Sequence, residues 1–436
     1  MKEKSLWKEY AKMTVLSVLG MLGVSCYLLA DTFFVATGLG KEGLAALNLA
    51  IPVYNFIHGT GLMLGMGGAT GFSIRRGRQE SAELNPLYTT TLLLGLGFGL
   101  IFAGVGIFGA EELASLLGAD RITERMTTVY LRWLLIFAPA FICNDILLCF
   151  VRNDGSPRLA TAGMLVGSFS NILLDALFIF PLEMGMFGAV FATGLSPIIS
   201  VLTMLPHWLG KRNTLSLCPS LPRPRLTGEL LALGFPSFVA QASGGLVMIL
   251  FNMLILREEG NIGLAAYGVV ANVSLVIIGL YTGVAQGMQP LLSRFHGAGN
   301  RPALLRTLRY GLLTVIFSGI LCYLLLFFGA TPIAGIFNPE GDAALQRLAE
   351  EGVLLYFTAI PFAGLNLIWS VYFPSVERTV PGQVLSLLRG LILILPTAFL
   401  FAELWGMAGV WLSFPAVECV IALAGAAVAR FSKKPE

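Results

Sequence analysis

The chain has 436 residues, of which 56% are hydrophobic and only 12% are charged, and its net charge is +3. A soluble protein of this length needs more charge to cover its surface, so the composition excludes an ordinary soluble enzyme or binding domain. Apolar stretches of about 20 residues, long enough to cross a bilayer, recur along the whole chain. No basic run with interleaved aromatic residues occurs, so we expect the lipid bilayer, but no nucleic acid, as a partner.

These stretches predict an all-α integral membrane protein with twelve transmembrane spans. The spans are 13–37, 44–72, 88–110, 127–150, 159–180, 186–209, 229–256, 264–293, 308–330, 350–373, 382–402 and 406–429. Most basic residues fall in alternate connecting segments, which include Lys2, Arg75, Arg152, Lys211, Arg212, Arg294, Arg389, Lys433 and Lys434. Because positive charge is retained on the inner side of a membrane, we expect these segments and both termini to be cytoplasmic. The stretch after Lys12 is too long for a signal peptide and is predicted to remain as the first span.

A hydrophilic stretch rich in Pro, Lys and Arg divides the chain into two sets of six spans. The three parts are an N-lobe (1–209), a cytoplasmic linker (210–228) and a C-lobe (229–436). A weak repeat relates the lobes, since Gly43-Leu-Ala-Ala recurs as Gly263-Leu-Ala-Ala, 220 residues later. At the same spacing Gly67 recurs as Gly287, and Gly77 as Gly297. Six spans are an even number, so we predict a pseudo-two-fold axis along the membrane normal, an arrangement in which transporters bind substrate between their lobes.

Four acidic residues fall in the interior of the predicted spans, away from the first residues, where a carboxylate costs about 2.5–3.5 kcal/mol or more. They are Asp31, Asp145, Asp175 and Glu418. For Asp145, an ion pair or helix-end contact is a sufficient explanation, and Glu418 has no obvious polar neighbour in the sequence. Their roles stay open at this point.

Asp31 and Asp175 differ from these two residues because other polar residues are predicted at the same depth in the membrane. Asp31, Asp175 and Thr193 each lie roughly 9–11 Å below the outer boundary of their spans, at 1.5 Å per helical residue. Asn171 precedes Asp175 by one turn and shares its helix face. Such oxygen ligands suit a hard cation such as Na⁺, and two carboxylates in a dry pocket can share a proton. The alternative is a polar network that only fixes helix packing, and we favour ion or proton coupling.

The repeat supports a site in the N-lobe alone. The C-lobe positions that correspond to the four cluster residues are all apolar: Phe251, Ile392, Pro396 and Phe414. A network needed only for folding should leave a polar trace in both lobes, and none is present at these positions.

The sequence gives no support for an enzyme or for a bound cofactor. Gly104-Val-Gly-Ile-Phe-Gly109 matches G-x-G-x-x-G but lies within a span with no preceding strand, which excludes a dinucleotide site. His58, His207 and His296 are too far apart for metal spacing, and we favour a packing role for His58. No metal is expected beyond Na⁺ at the N-lobe cluster. The six cysteines contain no C-x-x-C pair and are interpreted as packing residues.

Several segments resemble the multidrug and toxic compound extrusion (MATE) transporters, in particular their bacterial drug-efflux branches. The matching segments are Tyr27-Leu-Leu-Ala-Asp31-Thr-Phe-Phe-Val, Gly43-Leu-Ala-Ala-Leu-Asn-Leu-Ala-Ile-Pro52, Arg152-Asn-Asp-Gly-Ser-Pro157, Asn171-Ile-Leu-Leu-Asp175 and Gly188-Ala-Val-Phe-Ala-Thr193. The resemblance implies a monomeric antiporter of the bacterial inner membrane that exports amphipathic, often cationic drugs in exchange for H⁺ or Na⁺. It places the cation site at Asp31, Asn171, Asp175 and Thr193.

Two features depart from the family pattern. Acidic residues that some relatives carry in spans 7 and 10 are replaced here by Gln241, Asn252 and Asn366. An early proline in span 1 is absent, so a bend there must come from Gly20 and Gly23, or the span is unbent. The drug site is predicted in the cavity between the lobes, with candidates Tyr54, Asn55, Gln241, Met248, Tyr281, Gln286 and Trp369. The alternative is a related flippase for lipid-linked precursors, which would need a cationic cavity.

Overall fold

The structure, a computed structural model, describes residues 3–210, 213–219, 222–338 and 341–431. All regular secondary structure within these ranges is helical, as the composition predicts. Five basic residues of the charge pattern lie outside the described residues: Lys2, Lys211, Arg212, Lys433 and Lys434. Linker residues 220–221 and loop residues 339–340 also lie outside them.

Fourteen α-helices follow one another along these residues. They are α1 (Glu3–Arg78), α2 (Ser81–Phe108), α3 (Ala110–Leu116), α4 (Glu124–Ile136), α5 (Ala138–Asn153), α6 (Pro157–Ile179), α7 (Gly185–Met204), α8 (Pro206–Leu209), α9 (Pro224–Gly297), α10 (Arg301–Ile336), α11 (Ala343–Tyr356), α12 (Ile360–Ser375), α13 (Thr379–Leu387) and α14 (Ile394–Phe431). A π-helical turn at Leu388–Ile392 joins α13 to α14, and a short 3₁₀ turn at Phe357–Ala359 joins α11 to α12.

Eight helical stretches of the described chain are long and apolar enough to cross a membrane, and α4 and α5, bent by 48°, form a ninth. Three of the stretches contain a glycine whose backbone is not helical: Gly40 in α1, Gly260 in α9 and Gly406 in α14. Each of these glycines separates two spans, so the architecture of the described residues is consistent with the twelve predicted spans.

The three glycines share a backbone conformation that other residues rarely adopt. Their φ and ψ angles are 71° and −162° at Gly40, 62° and −149° at Gly260, and 57° and −136° at Gly406. This region of φ/ψ space is open essentially to glycine alone, because a Cβ atom would clash with the backbone. Gly40 and Gly260 are also 220 residues apart, which is the spacing of the sequence repeat.

Further glycines let α1 and α9 approach backbone to backbone near their C-terminal ends. A Cβ atom on Gly77 would lie 2.4 Å from the Arg294 carbonyl oxygen, and one on Gly297 would lie 2.0 Å from the Ile74 carbonyl oxygen. The pairs are reciprocal, since Ile74 and Arg294 are again 220 residues apart. The repeated glycines are therefore contact points between the two halves of the chain, where small residues permit close helix packing.

Gly20 and Gly23, the predicted sources of a bend in the first span, instead pack against α6. A Cβ atom on Gly20 would lie 2.8 Å from Met164 Sδ, and one on Gly23 would lie 2.7 Å from Leu165 Cδ2. The one non-helical residue within α1 is Gly40. The two glycines therefore bring the first span close to α6.

Substitution of Gly40 by alanine tests the conformational role of the helix breaks. Gly40 and Gly104 both have open space where a Cβ atom would lie, but only Gly40 has a positive φ. We expect Gly40→Ala to destabilise the protein by about 1–3 kcal/mol. The matched control Gly104→Ala, within helix α2, should be neutral or stabilising by up to about 1 kcal/mol. Thermal unfolding in detergent measures both, and an equal effect of the two substitutions would contradict the assignment.

Candidate functional site

The four residues of the predicted N-lobe cluster lie in three neighbouring helices. Asp31 comes from α1 before Gly40, Asn171 and Asp175 come from α6, and Thr193 comes from α7. All four side chains are buried, with Asn171 and Asp175 fully so. Helix α6 packs against both α1 and α7, and this packing brings the side chains together.

The cluster combines satisfied and unsatisfied polar atoms. The Asn171 amide donates a hydrogen bond to Thr193 Oγ1 at 3.4 Å, and Thr193 Oγ1 donates to the Ala189 carbonyl oxygen at 3.0 Å. The carboxyl groups of Asp31 and Asp175 lie close enough for their charges to interact. No hydrogen-bond donor among the described residues reaches the buried oxygens Asp31 Oδ1, Asn171 Oδ1 and both carboxylate oxygens of Asp175.

This arrangement is chemically suited to binding a positive charge. Buried polar atoms are normally hydrogen-bonded, and an unpaired carboxylate in a low-dielectric site is costly. A proton shared by the two carboxyl groups, or a Na⁺ ion bound by the carboxylate and amide oxygens, would each remove that cost. The residues present fit either occupant.

Two tyrosines that the sequence did not single out complete the surroundings of the cluster. Tyr130, in α4, is buried close to Thr193 and to the carboxyl groups of Asp31 and Asp175. Tyr27 lies one helical turn before Asp31, and its hydroxyl is 2.5 Å from that of Tyr54. The spacing of Tyr27 from Asp31 could have indicated its place, whereas Tyr130 is distant in sequence and shows no such signal.

The two remaining acidic residues of the spans each have a specific partner. Asp145 Oδ2 lies 2.9 Å from His58 Nδ1, so the predicted ion-pair or helix-end contact is a pair with a histidine of α1. Glu418 accepts hydrogen bonds from Arg389 Nε at 2.7 Å and from the Asn366 amide at 2.6 Å. The interpretation of Arg389 as a residue of a cytoplasmic segment is wrong, because the π-helical turn places its guanidinium against a fully buried glutamate.

A cavity of about 360 Å³ lies between the two halves of the chain, lined mainly by the C-half. Four of the predicted substrate residues line it: Gln241, Met248, Gln286 and Trp369. Asn366, Arg389 and Glu418 lie in the same lining, together with Leu62 and Met66 from α1.

The other three predicted substrate residues lie outside this lining. Tyr54 contacts Tyr27, and the amide nitrogen of Asn55 faces Gly245 of α9. Tyr281 is fully buried and donates a hydrogen bond to the Val315 carbonyl oxygen at 3.5 Å. Tyr281 therefore packs α9 against α10.

At the end of the molecule where Gly77 meets α9, ion pairs join the two halves of the chain. Arg75 binds Glu229 through two hydrogen bonds of 2.7 and 2.8 Å, and Arg294 binds Glu9 at 2.8 Å. Glu377 binds both Arg78 and His296, and these two partners lower the pKa of its carboxyl group below the usual value. With the glycine contacts of α1 and α9, these pairs join the two halves at the ends of α1 and α9.

Beneath these ion pairs, buried side chains extend the contact between the halves. The Arg152 guanidinium donates to Gln286 Oε1 at 2.9 Å, and the Asn153 amide donates to Gln289 Oε1 at 3.0 Å. Gln289 in turn donates to Thr70 Oγ1 at 2.9 Å. Arg152 and Asn153 belong to the segment that resembles the family signature, and here they hold the two halves together.

Comparison with known proteins agrees with this architecture. A family model described as MatE matches residues 17–177 and 236–400. The multidrug export protein MepA of Staphylococcus saprophyticus is 25% identical to this chain over 429 residues, which cover 97% of this chain and 93% of that protein.

Two solved structures share the fold. A crystal structure of a MATE protein in complex with MaL6 has a TM-score of 0.91 and 23% identity, covering 98% of this chain and 96% of the other. A multidrug resistance MATE family transporter in an outward-facing conformation has a TM-score of 0.91 and 22% identity, covering 99% and 98%. The motifs in spans 1–6, the helical architecture and the extent of the family match lead to one conclusion: this chain is a multi-span membrane protein that belongs to the MatE family.

Proposed function

We propose that this protein is a secondary active antiporter that exports small amphipathic, cationic drugs or toxins in exchange for H⁺ or Na⁺. The observation that carries the proposal is the buried pair Asp31 and Asp175, whose oxygens lack donors among the described residues. The family supports it as well, since the similar MepA proteins are named multidrug export proteins. We place the protein in the bacterial cytoplasmic membrane as a monomer, with both termini inside.

Coupling follows from the cost of leaving the carboxylate pair empty. When the site faces water, ions and protons exchange freely with it. When the site is closed from water, an uncompensated charge at this depth is unfavourable, so the conformational change is favoured only with a cation, a proton or a compensating substrate in place. A ligand can shift such an equilibrium only through its different affinity for the two states, and the buried pair provides that difference.

The lobes provide the two states. In this structure the cytoplasmic ends of α1 and α9 are held together, so the proposed alternation opens the cytoplasmic contacts while it closes the outer side. The boundary between the moving units is the proposed linker (210–228), and each lobe moves largely as a rigid body, as in other transporters with repeated halves.

The cavity supports the proposed substrate class. Met248 and Trp369 present polarizable and aromatic surface, which adapts to ligands of different shape. Arg389, the arginine among the described residues that line the cavity, is neutralised by Glu418, so this pair adds no net positive charge to the lining. A flippase for lipid-linked precursors needs a cationic cavity to hold pyrophosphate, and this lining therefore favours drug export over that alternative.

Neutral substitution of the carboxylate pair tests coupling. Asp31→Asn and Asp175→Asn keep the side-chain volume but remove the charge, so each should reduce gradient-driven efflux from proteoliposomes to the level of passive leakage while drug binding persists. The double variant should be little worse than either single variant, because residues that act as a unit are not additive. The control Glu112→Gln, on the exposed surface of α3, should transport normally. Robust coupled efflux by both single variants would contradict the assignment.

The pair of Arg75 with Glu229 tests the cytoplasmic closure. Arg75 also binds Glu83 of its own half, at 2.8 Å, so Glu83→Gln is a matched control that removes a charge partner without touching the other half. Glu229→Gln should weaken closure by about 1.5–3 kcal/mol, the worth of hydrogen bonds to a charged group. Spin labels at Ala82 and Val380 should then show a larger population of long distances in Glu229→Gln alone. The same distribution in both variants would argue against a gate at this pair.

Cysteine labelling tests the orientation. Leu217 in the linker and Ile122 in the loop before α4 are both exposed. In a background without native cysteines, Leu217→Cys should react with an impermeant reagent only after the cells are opened, and Ile122→Cys should react in intact cells. The reverse pattern would overturn the proposed topology.

A further inference from the structure

All three histidines of the chain pair with a carboxylate, but one pair differs from the others. The pairs are His58 with Asp145 at 2.9 Å, His207 with Asp154 at 3.0 Å and His296 with Glu377 at 2.9 Å. Asp154 also binds Arg76, and Glu377 also binds Arg78, so both of those carboxylates have a permanent positive partner. Among the described residues, Asp145 has no ion-pair partner except His58.

The pair is also deep and enclosed. Asp145 lies eight residues before the end of α5 at Asn153, which corresponds to about 12 Å along the helix. The side chains of His58 and Asp145 are only 16% and 8% exposed. The ring of His58 lies 4.4 Å from that of Tyr54 and 5.3 Å from that of Phe141, measured between centroids.

Two features of the surroundings bear on the pair: the space beside the Asp145 carboxylate and the free ring nitrogen of His58. Gly61 lies one turn after His58, and a Cβ atom there would lie 2.5 Å from Asp145 Oδ2, so the glycine makes room for the carboxylate. On the other side of the imidazole, Nε2 is buried and has no hydrogen-bond partner among the described residues. Nε2 is therefore the ring nitrogen of His58 that is left free when Nδ1 pairs with Asp145.

The charge balance of the pair depends on one exchangeable proton. With a neutral imidazole and an ionised Asp145, the pair carries a lone negative charge at membrane depth, which is costly. When a proton from water forms a new N–H bond at His58 Nε2, imidazolium and carboxylate together are neutral. The same net charge results if the proton resides on Asp145.

We propose that His58 and Asp145 form a second proton-binding site, separate from the Asp31 and Asp175 pair. Imidazole is the side chain whose ordinary charge change falls between about pH 5 and 8, so the site can load and unload under physiological conditions.

Titratable groups surround the pair, but none of those named here supplies a positive charge that would balance Asp145. Tyr54 and Tyr27 lie on the α1 side, and Cys143 and Cys149 lie on the same helix as Asp145. The nearest arginine along that helix, Arg152, is bound to Gln286. The charge of Asp145 is therefore compensated by protonation of the pair itself.

The tyrosines connect the two sites in space. The hydroxyl groups of Tyr54 and Tyr27 are 2.5 Å apart, Tyr54 contacts the His58 ring, and Tyr27 precedes Asp31 by one turn. Proton binding by the pair stands independently, whereas its use in transport rests on the proposed antiport.

Nitrogen NMR of histidine-labelled protein in lipid nanodiscs tests the site directly. The chain has three histidines, so His58→Gln identifies the His58 signal, and His296→Gln is the matched control at the cytoplasmic surface. We expect the wild-type His58 ring to be doubly protonated at neutral pH and to become neutral in Asp145→Asn. A protonated-carboxyl infrared band that is lost in Asp145→Asn supports the same site, with the proton on the aspartate.

A neutral His58 together with an ionised Asp145 throughout the range from about pH 5 to 8 would overturn the proposal, because the pair must take up its proton somewhere in this range. If Asp145→Asn does not fold, the wild-type titration, assigned through His58→Gln, still decides between the two states.

The number of protons exchanged per drug tests the use of the site in transport. At the reversal potential of proteoliposomes, His58→Gln should exchange about one proton fewer than wild type, since one titrating imidazole is lost. An unchanged ratio in His58→Gln, with coupled wild-type transport, would remove the site from the transport cycle. Absence of coupled transport in wild type would instead refute the proposed antiport and leave the NMR result standing.

Discussion

The structure depends on one constraint, which is that two carboxylates are held at membrane depth where protein donors do not satisfy them. The Thr193 hydroxyl donates to its own helix backbone and accepts from Asn171. No donor among the described residues reaches Asp31 Oδ1 or either carboxylate oxygen of Asp175. Removing a carboxylate from water is costly unless it is paired, and the fold supplies helix packing instead of a pairing cation. A bound proton or Na⁺ would remove this cost, and the proposed antiport rests on that difference.

The two halves of the chain have similar helix arrangements, but the C-half has aromatic residues at positions that correspond to the polar cluster of the N-half. In the C-half, Phe251 stacks on Tyr267 with ring centroids 5.7 Å apart, and Phe414 stacks on Tyr356 at 4.6 Å. Glu418, the buried acidic residue of the last predicted span, is paired with Arg389. The N-half therefore retains unsatisfied oxygens, while the C-half presents a largely apolar, internally neutral surface to the cavity. This asymmetry supports a division between ion binding and substrate binding.

Contact between the halves combines close backbone packing with reversible polar pairs. Gly77 and Gly297 allow the backbones of α1 and α9 to come into close contact. This contact fixes the position of one helix against the other. The surrounding ion pairs are partly exposed, so water can replace them at modest cost when the halves separate. An interface of this kind can be specific in the closed state without being permanent. The same glycines recur in sequence because each half presents the same surface to the other.

The sequence by itself determined the helical class, the spans, the repeat and the N-half cluster. Each is a one-dimensional signal, because apolar length sets a span and a buried carboxylate is conspicuous in an apolar stretch. The tertiary structure decided which polar groups meet. Tyr130 joins the cluster, His58 pairs with Asp145, and Arg389 pairs with Glu418, although each lies on a different helix from its partner. Tyr281, predicted in the cavity, is fully buried against α10. Partner choice depends on the rotation and crossing of packed helices, and these are set by side-chain contacts between segments far apart in the chain.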